Sequence, residues 1–328
     1  MKQAQTRFEY SRALVWEQHC CLPLDPDTDV DELSRYADAG ASFVSVNVGY
    51  APHGITDTIR VLSAFRHHVL SNPDRYVLAG SVEDVRTAKA TGRLAVAFDL
   101  EDANPLEGRT DMVRTYYDLG VRTMLLTYNQ RNAAGSGCHD TSDGGLTAFG
   151  RDVVAEMNRV GMVVDASHCS YRTSMDVFAA SSAPVVLSHS SVRAIHDHER
   201  NVGDDQIRAC AATGGVVGIN GVGIFLGDND VSTETFVRHV ERAVELVGRE
   251  HVGIGLDFCF EDDDASGELE QNPDLFPASY AQWDRIGFVE PERLPVIAAA
   301  LVDRGYPAEA VEGILGGNFL RVARDVWR

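Results

Sequence analysis

The sequence predicts an α/β fold in which eight parallel strands and the helices between them form a (β/α)8 TIM barrel. Three observations indicate this fold class. Short apolar segments recur along the chain, helical segments separate them, and several apolar segments end on residues that can bind a metal or move a proton. The chain of 328 residues suits one such barrel, because α/β barrels commonly take about 250 residues or more as a single domain. We therefore expect one domain over residues 1–328.

The predicted strands are rich in β-branched residues. Several of them, such as LAVAFDL at 94–100, lack a clean alternation of apolar and polar residues. This pattern is expected of strands that are covered on both faces in a parallel sheet. The eight segments are residues 13–19, 43–49, 94–100, 122–128, 162–168, 184–189, 215–220 and 251–257.

Helical segments lie between the predicted strands. Each opens with Ser, Thr or Asp and closes on Gly, which are residues typical of helix starts and helix ends. Repeated units of strand, helix, Gly and strand indicate right-handed crossovers and a closed parallel barrel. The segments are residues 29–40, 81–92, 110–120, 147–161 and 204–215.

Two insertions are expected in the barrel, near residues 51–80 and 259–290. The interval between the second and third strands is the longest, and its turn residues suggest an excursion over the barrel. The second segment mixes acidic residues, Pro, Gly and aromatic residues. That composition indicates an irregular loop after the last strand, where lids often lie.

The charge of the chain excludes some classes of partner. Lys and Arg total 29 against 49 Asp and Glu, which gives a formal net charge of −20. Such a chain repels phosphate backbones and anionic lipid surfaces. We therefore predict no nucleic-acid partner and no membrane partner.

The N-terminal segment and the cysteines indicate a compartment. Residues 1–19 lack the apolar stretch of a secretion signal, and no segment approaches the roughly 18 apolar residues that can span a bilayer. The six cysteines are few and irregularly spaced, so a disulfide framework is not expected. We predict a cytoplasmic protein whose cysteines are mostly reduced.

The first predicted strand ends with two candidate metal ligands. Residues two apart on a strand share a face, so His19 and Cys21 can point toward one ion. Imidazole nitrogen and thiolate sulfur are both good zinc ligands, at about 2.0 and 2.3 Å. A buried thiol beside a structural histidine is the alternative. We favour the metal site because further ligand types follow other strands.

Glu101, His168 and His189 follow three of these strands. A carboxylate after LAVAFDL is costly to bury unless it meets a cation or solvent, and such a group can bridge two metal ions. His168 and His189 end the similar segments MVVDASH and PVVLSH, and one helical crossover separates them. We predict that both histidines are neutral imidazole ligands.

Asp257 ends the eighth predicted strand. A closed barrel brings that strand next to the first one, so the carboxylate would lie beside a water that the metal activates. A carboxylate in this position can take the proton of the water and pass it to a leaving amine. We therefore predict a catalytic role for Asp257, with capping of the following segment as the alternative.

Four stretches of the chain carry a resemblance to a known family: residues 144–168, 184–207, 251–258 and 316–327. The chain resembles the membrane (renal) dipeptidase family of the amidohydrolase superfamily, over nearly its whole length. Members of this family are zinc enzymes on a (β/α)8 barrel of the metal-dependent hydrolase type. The resemblance implies the same fold, zinc as cofactor, a small-molecule substrate and a homodimer.

The resemblance also implies roles for the metal ligands. Glu101 is similar to the carboxylate that bridges two zinc ions, His168 and His189 to ligands of the second metal, and His19 to a ligand of the first. The family typically has Asp two residues after this histidine, and Cys21 stands there instead. A thiolate can retain zinc, or the first site can be weakened so that one metal remains. We expect retention, with one or two zinc ions.

Two further residues are assigned to the substrate by the resemblance. Arg200, in HDHERN, is similar to the family's arginine that binds the C-terminal carboxylate of the substrate, and a planar guanidinium suits bidentate recognition. Tyr128 stands where the family often has a histidine near the scissile carbonyl. A phenol donates one hydrogen bond but carries no positive charge. We predict that Tyr128 takes part in catalysis and substrate binding and changes the substrate preference.

Three hypotheses of function follow. The first is a zinc-dependent hydrolase that cleaves the amide bond of dipeptides or dipeptide-like substrates with a free carboxylate. The second keeps the barrel and the metal but changes the substrate to N-acyl amino acids, lactones or other small amides, because Cys21 and Tyr128 depart from the family pattern. The third is a catalytically silent ligand-binding barrel whose altered first strand no longer holds an active metal pair.

Overall fold

The computed structural model describes residues 8–260, 269 and 272–328 as an α/β protein. The strands are β1 (Trp16–Cys21), β2 (Phe43–Asn47), β3 (Tyr76–Leu78), β4 (Leu94–Leu100), β5 (Val121–Leu125), β6 (Val163–Asp165), β7 (Val185–Val186), β8 (Val217–Ile219), β9 (Val252–Ile254) and β10 (Phe258–Cys259). The helices are α1 (Ser34–Asp38), α2 (Ile55–Ser71), α3 (Val82–Thr91), α4 (Asp111–Leu119), α5 (Ala148–Val160), α6 (Tyr171–Ala180), α7 (Asp204–Ala212), α8 (Gly223–Leu226), α9 (Thr233–Val247), α10 (Leu294–Asp303), α11 (Ala308–Glu312) and α12 (Asn318–Val326). None of the helices in the described part of the chain combines the length and the hydropathy that a membrane span requires.

The strands form two parallel sheets. An eight-stranded sheet has the order β10-β1-β2-β4-β5-β6-β7, with β3 paired to the start of β4, and β8 pairs with β9. Parallel neighbours require crossover connections, and the helices α4, α5, α6 and α7 that provide them pack against one another in sequence. The predicted α/β class is therefore confirmed as a curled sheet of parallel strands with helices between them.

Backbone contacts extend the pairing beyond these sheets. Leu187, just after β7, forms an isolated parallel bridge with Val217 of β8. Asp257 N, just after β9, donates a hydrogen bond of 3.1 Å to His19 O on β1. The first strand, β1, therefore lies beside the segment that follows β9.

The first predicted insertion contains α2 and β3. The three-residue strand β3 pairs with Leu94–Val96 of β4, and it is absent from the eight predicted strands because three residues are too short to show a strand period. The second predicted insertion, near 259–290, lies partly outside the described residues, which omit 261–268, 270 and 271.

The strands β5, β6 and β7 end earlier than predicted. Each ends three residues before a candidate site residue, namely Tyr128, His168 and His189. The apolar run continues past the strand in each case because the following loop is buried as well. The three side chains consequently project from loops at the carboxyl ends of the strands.

The helices α3 and α5 start and end as predicted, with Ser81 and Thr147 as side-chain N-caps and Gly92 and Gly161 as C-caps. Ser81 Oγ accepts a hydrogen bond from Asp84 N while the Asp84 carboxylate accepts one from Ser81 N, which makes a capping box. Gly92 ends the helix with a φ of 68°, a left-handed conformation that glycine adopts without steric cost. Local sequence chemistry therefore determines where this helix lies.

Two glycines allow strands to approach the loop that carries His189. A Cβ atom on Gly218 would lie 2.0 Å from Ser188 O, and one on Gly255 would lie 1.9 Å from the same atom. No side chain fits at such distances, so the close approach requires glycine at both positions. These contacts hold Ser188, and with it His189, at the end of the sheet.

Replacing Ser81 by alanine is expected to lower the free energy of unfolding by about 1 kcal/mol, because an N-cap hydrogen bond is lost. Urea unfolding followed by circular dichroism measures the change. Thr110→Ala is the matched control, since Thr110 precedes α4 without a side-chain capping hydrogen bond. Equal losses in the two variants would contradict the capping role of Ser81.

Candidate metal centre

Four of the predicted site residues meet at one buried point. His19 lies on β1, Glu101 directly follows β4, His189 follows β7, and Asp257 lies between β9 and β10. One ligand atom from each residue lies within 4.8 Å of the others, and all four residues are buried. The carboxyl ends of parallel strands lie at the same edge of a sheet. Residues that are distant in the sequence can therefore meet there.

Glu101 is at the centre of the cluster. Its Oε1 lies 3.2 Å from Nε2 of His168 and 3.4 Å from Nε2 of both His19 and His189. The Nε2 atoms of His168 and His189 are 3.0 Å apart. Asn47 Nδ2 donates a hydrogen bond of 2.8 Å to the other carboxylate oxygen, Oε2. Three imidazoles therefore surround a single oxygen.

Hydrogen bonds on the far side of two rings decide which nitrogen faces Glu101. His19 Nδ1 donates to Asp99 Oδ1 at 3.0 Å, and His168 Nδ1 donates to Asn129 Oδ1 at 2.7 Å. These oxygens only accept, so Nδ1 carries a hydrogen in both rings and Nε2 is the nitrogen that can bind a proton or a metal ion. A neutral ring turns the lone pair of Nε2 toward the carboxylate oxygen, and a cation between the two atoms removes their repulsion. The donor set therefore fits a metal ion.

The ionisation of the cluster agrees with this chemistry. Burial lowers the pKa of His168 and of His189 well below the usual value, so both rings are neutral. Burial raises the pKa of Glu101, but His19 and His189 outweigh it and hold that pKa at about 2. Burial also opposes a charge on His19, yet Asp99 and Glu101 raise its pKa well above the usual value. A proton or a metal ion is thus favoured at His19 Nε2, and metal binding would displace the proton.

Asp257 faces the same point from a strained backbone. Its φ is 56°, and that of His168 is 60°, a left-handed region that side chains other than glycine rarely occupy. Such strain clusters at functional sites. Asn220 Nδ2 donates to Asp257 Oδ2 at 2.9 Å, and burial raises the pKa of Asp257 to about 6. The carboxylate can therefore exchange a proton near neutral pH.

Cys21 lies at the edge of the cluster. Its Sγ is 3.4 Å from His19 Nε2, and its thiol donates to Asp257 Oδ1 at 3.6 Å. The structure thus brings Cys21 together with His19, as predicted from their spacing on one strand, and adds Asp257 as a neighbour.

A cavity of about 610 Å³ opens onto the cluster. Cys21, Glu101, His168 and Asp257 form part of its wall. None of the lining residues that the structure describes is lysine or arginine. The rest of the wall is largely apolar and includes the aromatic residues Tyr50, Tyr128, Phe225, Phe276, Tyr280 and Phe288. The cavity therefore has the size and the apolar character of a small-molecule site.

The two residues predicted to contact substrate take different positions. Tyr128 lines the cavity, and its ring stacks on His168 with 4.4 Å between ring centroids. Arg200 is buried behind the wall, where its guanidinium donates to His189 O at 2.9 Å and to Ser190 Oγ at 3.3 Å. Its Nε has no hydrogen-bond partner among the described residues. The structure therefore does not bring Arg200 into direct contact with the cavity.

Several residues that orient the cluster are absent from the sequence prediction. They accept from or donate to the ligands: Asn47, Asp99, Asn129, Ser188 and Asn220. Asp99 could have been identified from the sequence. It lies two residues before Glu101, and side chains two residues apart on a strand point to the same face. The asparagines gave no such signal, since an isolated amide at or just after the end of a strand is common.

His139 contacts a residue of the cavity wall. Its Nδ1 lies 3.1 Å from Glu199 Oε2, and its Nε2 lies 2.9 Å from the hydroxyl of Tyr280, which lines the cavity. This chain of hydrogen bonds fixes the orientation of the Tyr280 phenol.

Comparison with known families gives one match over most of the chain. The family model described as "Membrane dipeptidase (Peptidase family M19)" matches residues 22–274. An uncharacterized dipeptidase of Schizosaccharomyces pombe is 31% identical over 277 residues, which are 82% of this chain and 62% of that protein. Dipeptidase aclJ of Aspergillus oryzae is 31% identical over 323 residues, which are 91% of this chain and 72% of that protein. The chain spans about three fifths of the length of several curated relatives that it matches.

A solved structure shares nearly the whole fold. An amidohydrolase from Pseudomonas aeruginosa has a TM-score of 0.89 at 27% identity, over 97% of this chain and 98% of that chain. The match extends across both the sheet and its connecting helices, so the likeness is one of complete architecture.

Replacing Asp99 by asparagine is expected to weaken metal binding by about 10-fold or more, because an outer partner of a ligating histidine tunes its basicity and orientation. Competition with a chromophoric chelator measures the affinity for zinc. Asp152→Asn, on the exposed face of α5, is the control. An unchanged affinity in the folded Asp99 variant would refute the role of Asp99.

Proposed function

Because this chain belongs to the membrane dipeptidase family, peptidase family M19, we propose that it is a zinc-dependent hydrolase that cleaves dipeptides or dipeptide-like molecules with a free carboxylate. The observation that carries this proposal is the meeting of three imidazoles and a carboxylate oxygen at 3.2–3.4 Å beside a cavity of about 610 Å³. Curated relatives named as dipeptidases support the reaction class.

We assign the metal ligands as His19, Cys21, Glu101, His168 and His189. Neutral imidazoles, a thiolate and a carboxylate together form a donor set that suits zinc. Glu101 Oε1 faces all three rings, so Glu101 would be a ligand of both ions if two bind, and of the single ion if one binds. Bound zinc lowers the pKa of water and polarises a carbonyl group.

Asp257 is proposed to hold and move the proton of the attacking water. Burial raises its pKa to about 6, so it is a carboxylate at neutral pH and yet a competent acid once protonated. Asn220 holds Oδ2, while Oδ1 faces His19 Nε2 at 3.7 Å. The oxygen nearer the cluster is therefore the one placed to accept the proton and return it to a leaving amine.

Arg200 and Tyr128 are proposed to select the substrate. Arg200 is buried, and a positive charge behind the wall attracts a carboxylate in the cavity because little water screens it; its unpartnered Nε supports this role. Tyr128 lies over His168 at the mouth of the cluster. Its phenol can donate one hydrogen bond to the carbonyl of the scissile bond.

The same architecture supports a closed barrel as the finer description of the fold. The bridge between Leu187 and Val217 and the hydrogen bond from Asp257 N to His19 O continue the pairing where the sheets end. We propose that these contacts join the strands into one (β/α)8 ring.

A second candidate function is hydrolysis of N-acyl amino acids, lactones or other small amides. Aliphatic and aromatic residues make up much of the cavity wall, and no lysine or arginine is among its described lining residues. Such a wall favours an apolar acyl group over a charged one.

Metal removal and a substrate panel test both candidates. We expect a chelator to abolish hydrolysis and zinc to restore it, with dipeptides cleaved faster than the same dipeptides carrying a C-terminal amide. The panel includes N-acyl amino acids and lactones, and preference for one of these would establish the second candidate instead. Protein purified without chelator that holds no zinc and stays inactive after zinc addition would favour a silent ligand-binding barrel.

Replacing Asp257 by asparagine is expected to lower kcat by about 10²- to 10⁴-fold, because the proton acceptor is lost. Zinc content should stay at the wild-type level, since the proposed ligands remain. Stopped assays and elemental analysis on the same preparation measure both. Asp118→Asn, at an exposed ion pair of α4, is the control; turnover that is equal in wild type and Asp257→Asn would overturn the assigned role.

A further inference from the structure

A second cysteine lies beside Cys21 at the rim of the metal centre. The strands β1 and β10 run parallel, and their register pairs Cys21 with Cys259. Neighbouring strands are about 4.8 Å apart, and residues paired in register project from the same face. Both residues line the cavity, so the two sulfur atoms face the same space.

The Cys21 sulfur contacts two groups of the cluster. Its Sγ lies 3.4 Å from His19 Nε2 and 3.6 Å from Asp257 Oδ1. Cys259, on the neighbouring strand, and burial together raise the pKa of the Cys21 thiol well above its usual value. Cys259 therefore lies next to a thiol that itself touches the metal cluster.

The register of the two cysteines suits two ligands of one metal ion. With metal–sulfur bonds of about 2.3 Å, two sulfur ligands of one zinc ion lie about 3.8 Å apart, a separation that side chains on the same face of neighbouring strands can reach. Thiolate ligands favour zinc and other thiophilic metals over magnesium, calcium or manganese. Both cysteines are free of disulfide bonds, so both sulfurs are available.

We propose that Cys259 is a metal ligand together with Cys21, and that this pair makes the position beside His19 and Asp257 selective for a thiophilic divalent metal. The inference rests on the proposed function only in that a metal binds at this end of the site. Binding breaks two S–H bonds and forms two metal–sulfur bonds, and both protons pass to the buffer. No oxidant or reductant takes part.

Cobalt substitution tests the pair without relying on turnover. The full-length protein is made metal-free under a phosphine reductant and loaded with Co²⁺, and the thiolate-to-cobalt charge-transfer band in the near ultraviolet is recorded. We expect this band in wild type, about half of its intensity in Cys21→Ala and in Cys259→Ala, and none in the double variant. Zinc affinity should fall by about 10-fold or more in each single variant, since even outer-shell losses cost that much.

Cys20→Ala is the matched control. Cys20 lies on the same strand, but its side chain is buried in the hydrophobic core, so the band should keep its full intensity. Circular dichroism verifies that each variant is folded. Zinc-edge X-ray absorption of the unmodified protein, read together with its zinc content, gives a second measurement, with two sulfur neighbours per protein molecule expected at about 2.3 Å. A band of undiminished intensity in Cys259→Ala, or one sulfur neighbour or none per protein molecule, would reject the dithiolate.

The outcomes separate this inference from the proposed function. Hydrolysis of dipeptides without any sulfur ligation would leave the function standing and reject the sulfur pair. A charge-transfer band that depends on both cysteines in a protein that hydrolyses no dipeptide would support the sulfur pair and reject the function.

Discussion

The burial of the Glu101 carboxylate is the constraint on which the rest of the site depends. Removing a carboxylate from water costs several kcal/mol even after relaxation, and Glu101 is 5% exposed. Asn47 satisfies Oε2 with a hydrogen bond, and among the described residues the contacts of Oε1 are with imidazole nitrogens. A cation offsets this cost, whether it is a proton on His19 or a metal ion. The negative oxygen and the imidazoles around it therefore form a cluster that could hold a metal ion.

The sheet and its loops hold the side chains of the cluster in position. Parallel strands deliver the ligands to one side, and outer hydrogen bonds from Asp99 and Asn129 orient the rings of His19 and His168. Left-handed backbone at His168 and Asp257 turns these side chains toward the centre. Strained conformations persist only where the surrounding structure holds them in place. Both residues are buried, so neighbouring groups can hold them.

The two ends of the site differ in the donor atoms that they offer. His168 and His189 supply nitrogen at one end, under the ring of Tyr128. Cys21 adds sulfur at the other end, beside Asp257. Aromatic groups form part of the cavity wall, and His139 is hydrogen-bonded to one of them, Tyr280. The candidate ligand groups and the apolar wall therefore occupy different parts of the site.

The sequence by itself determined the α/β class, the helix caps and the types of residue that follow the strands, because caps, periodicity and composition are local properties. Capping at Ser81 is an example. Only the tertiary structure decided that Glu101 Oε1 lies at the centre, that Arg200 lies behind the cavity wall, and that Cys259 lies beside Cys21. These facts depend on distances between residues far apart in the chain. Strand register and loop conformation set such distances, and no local pattern encodes them.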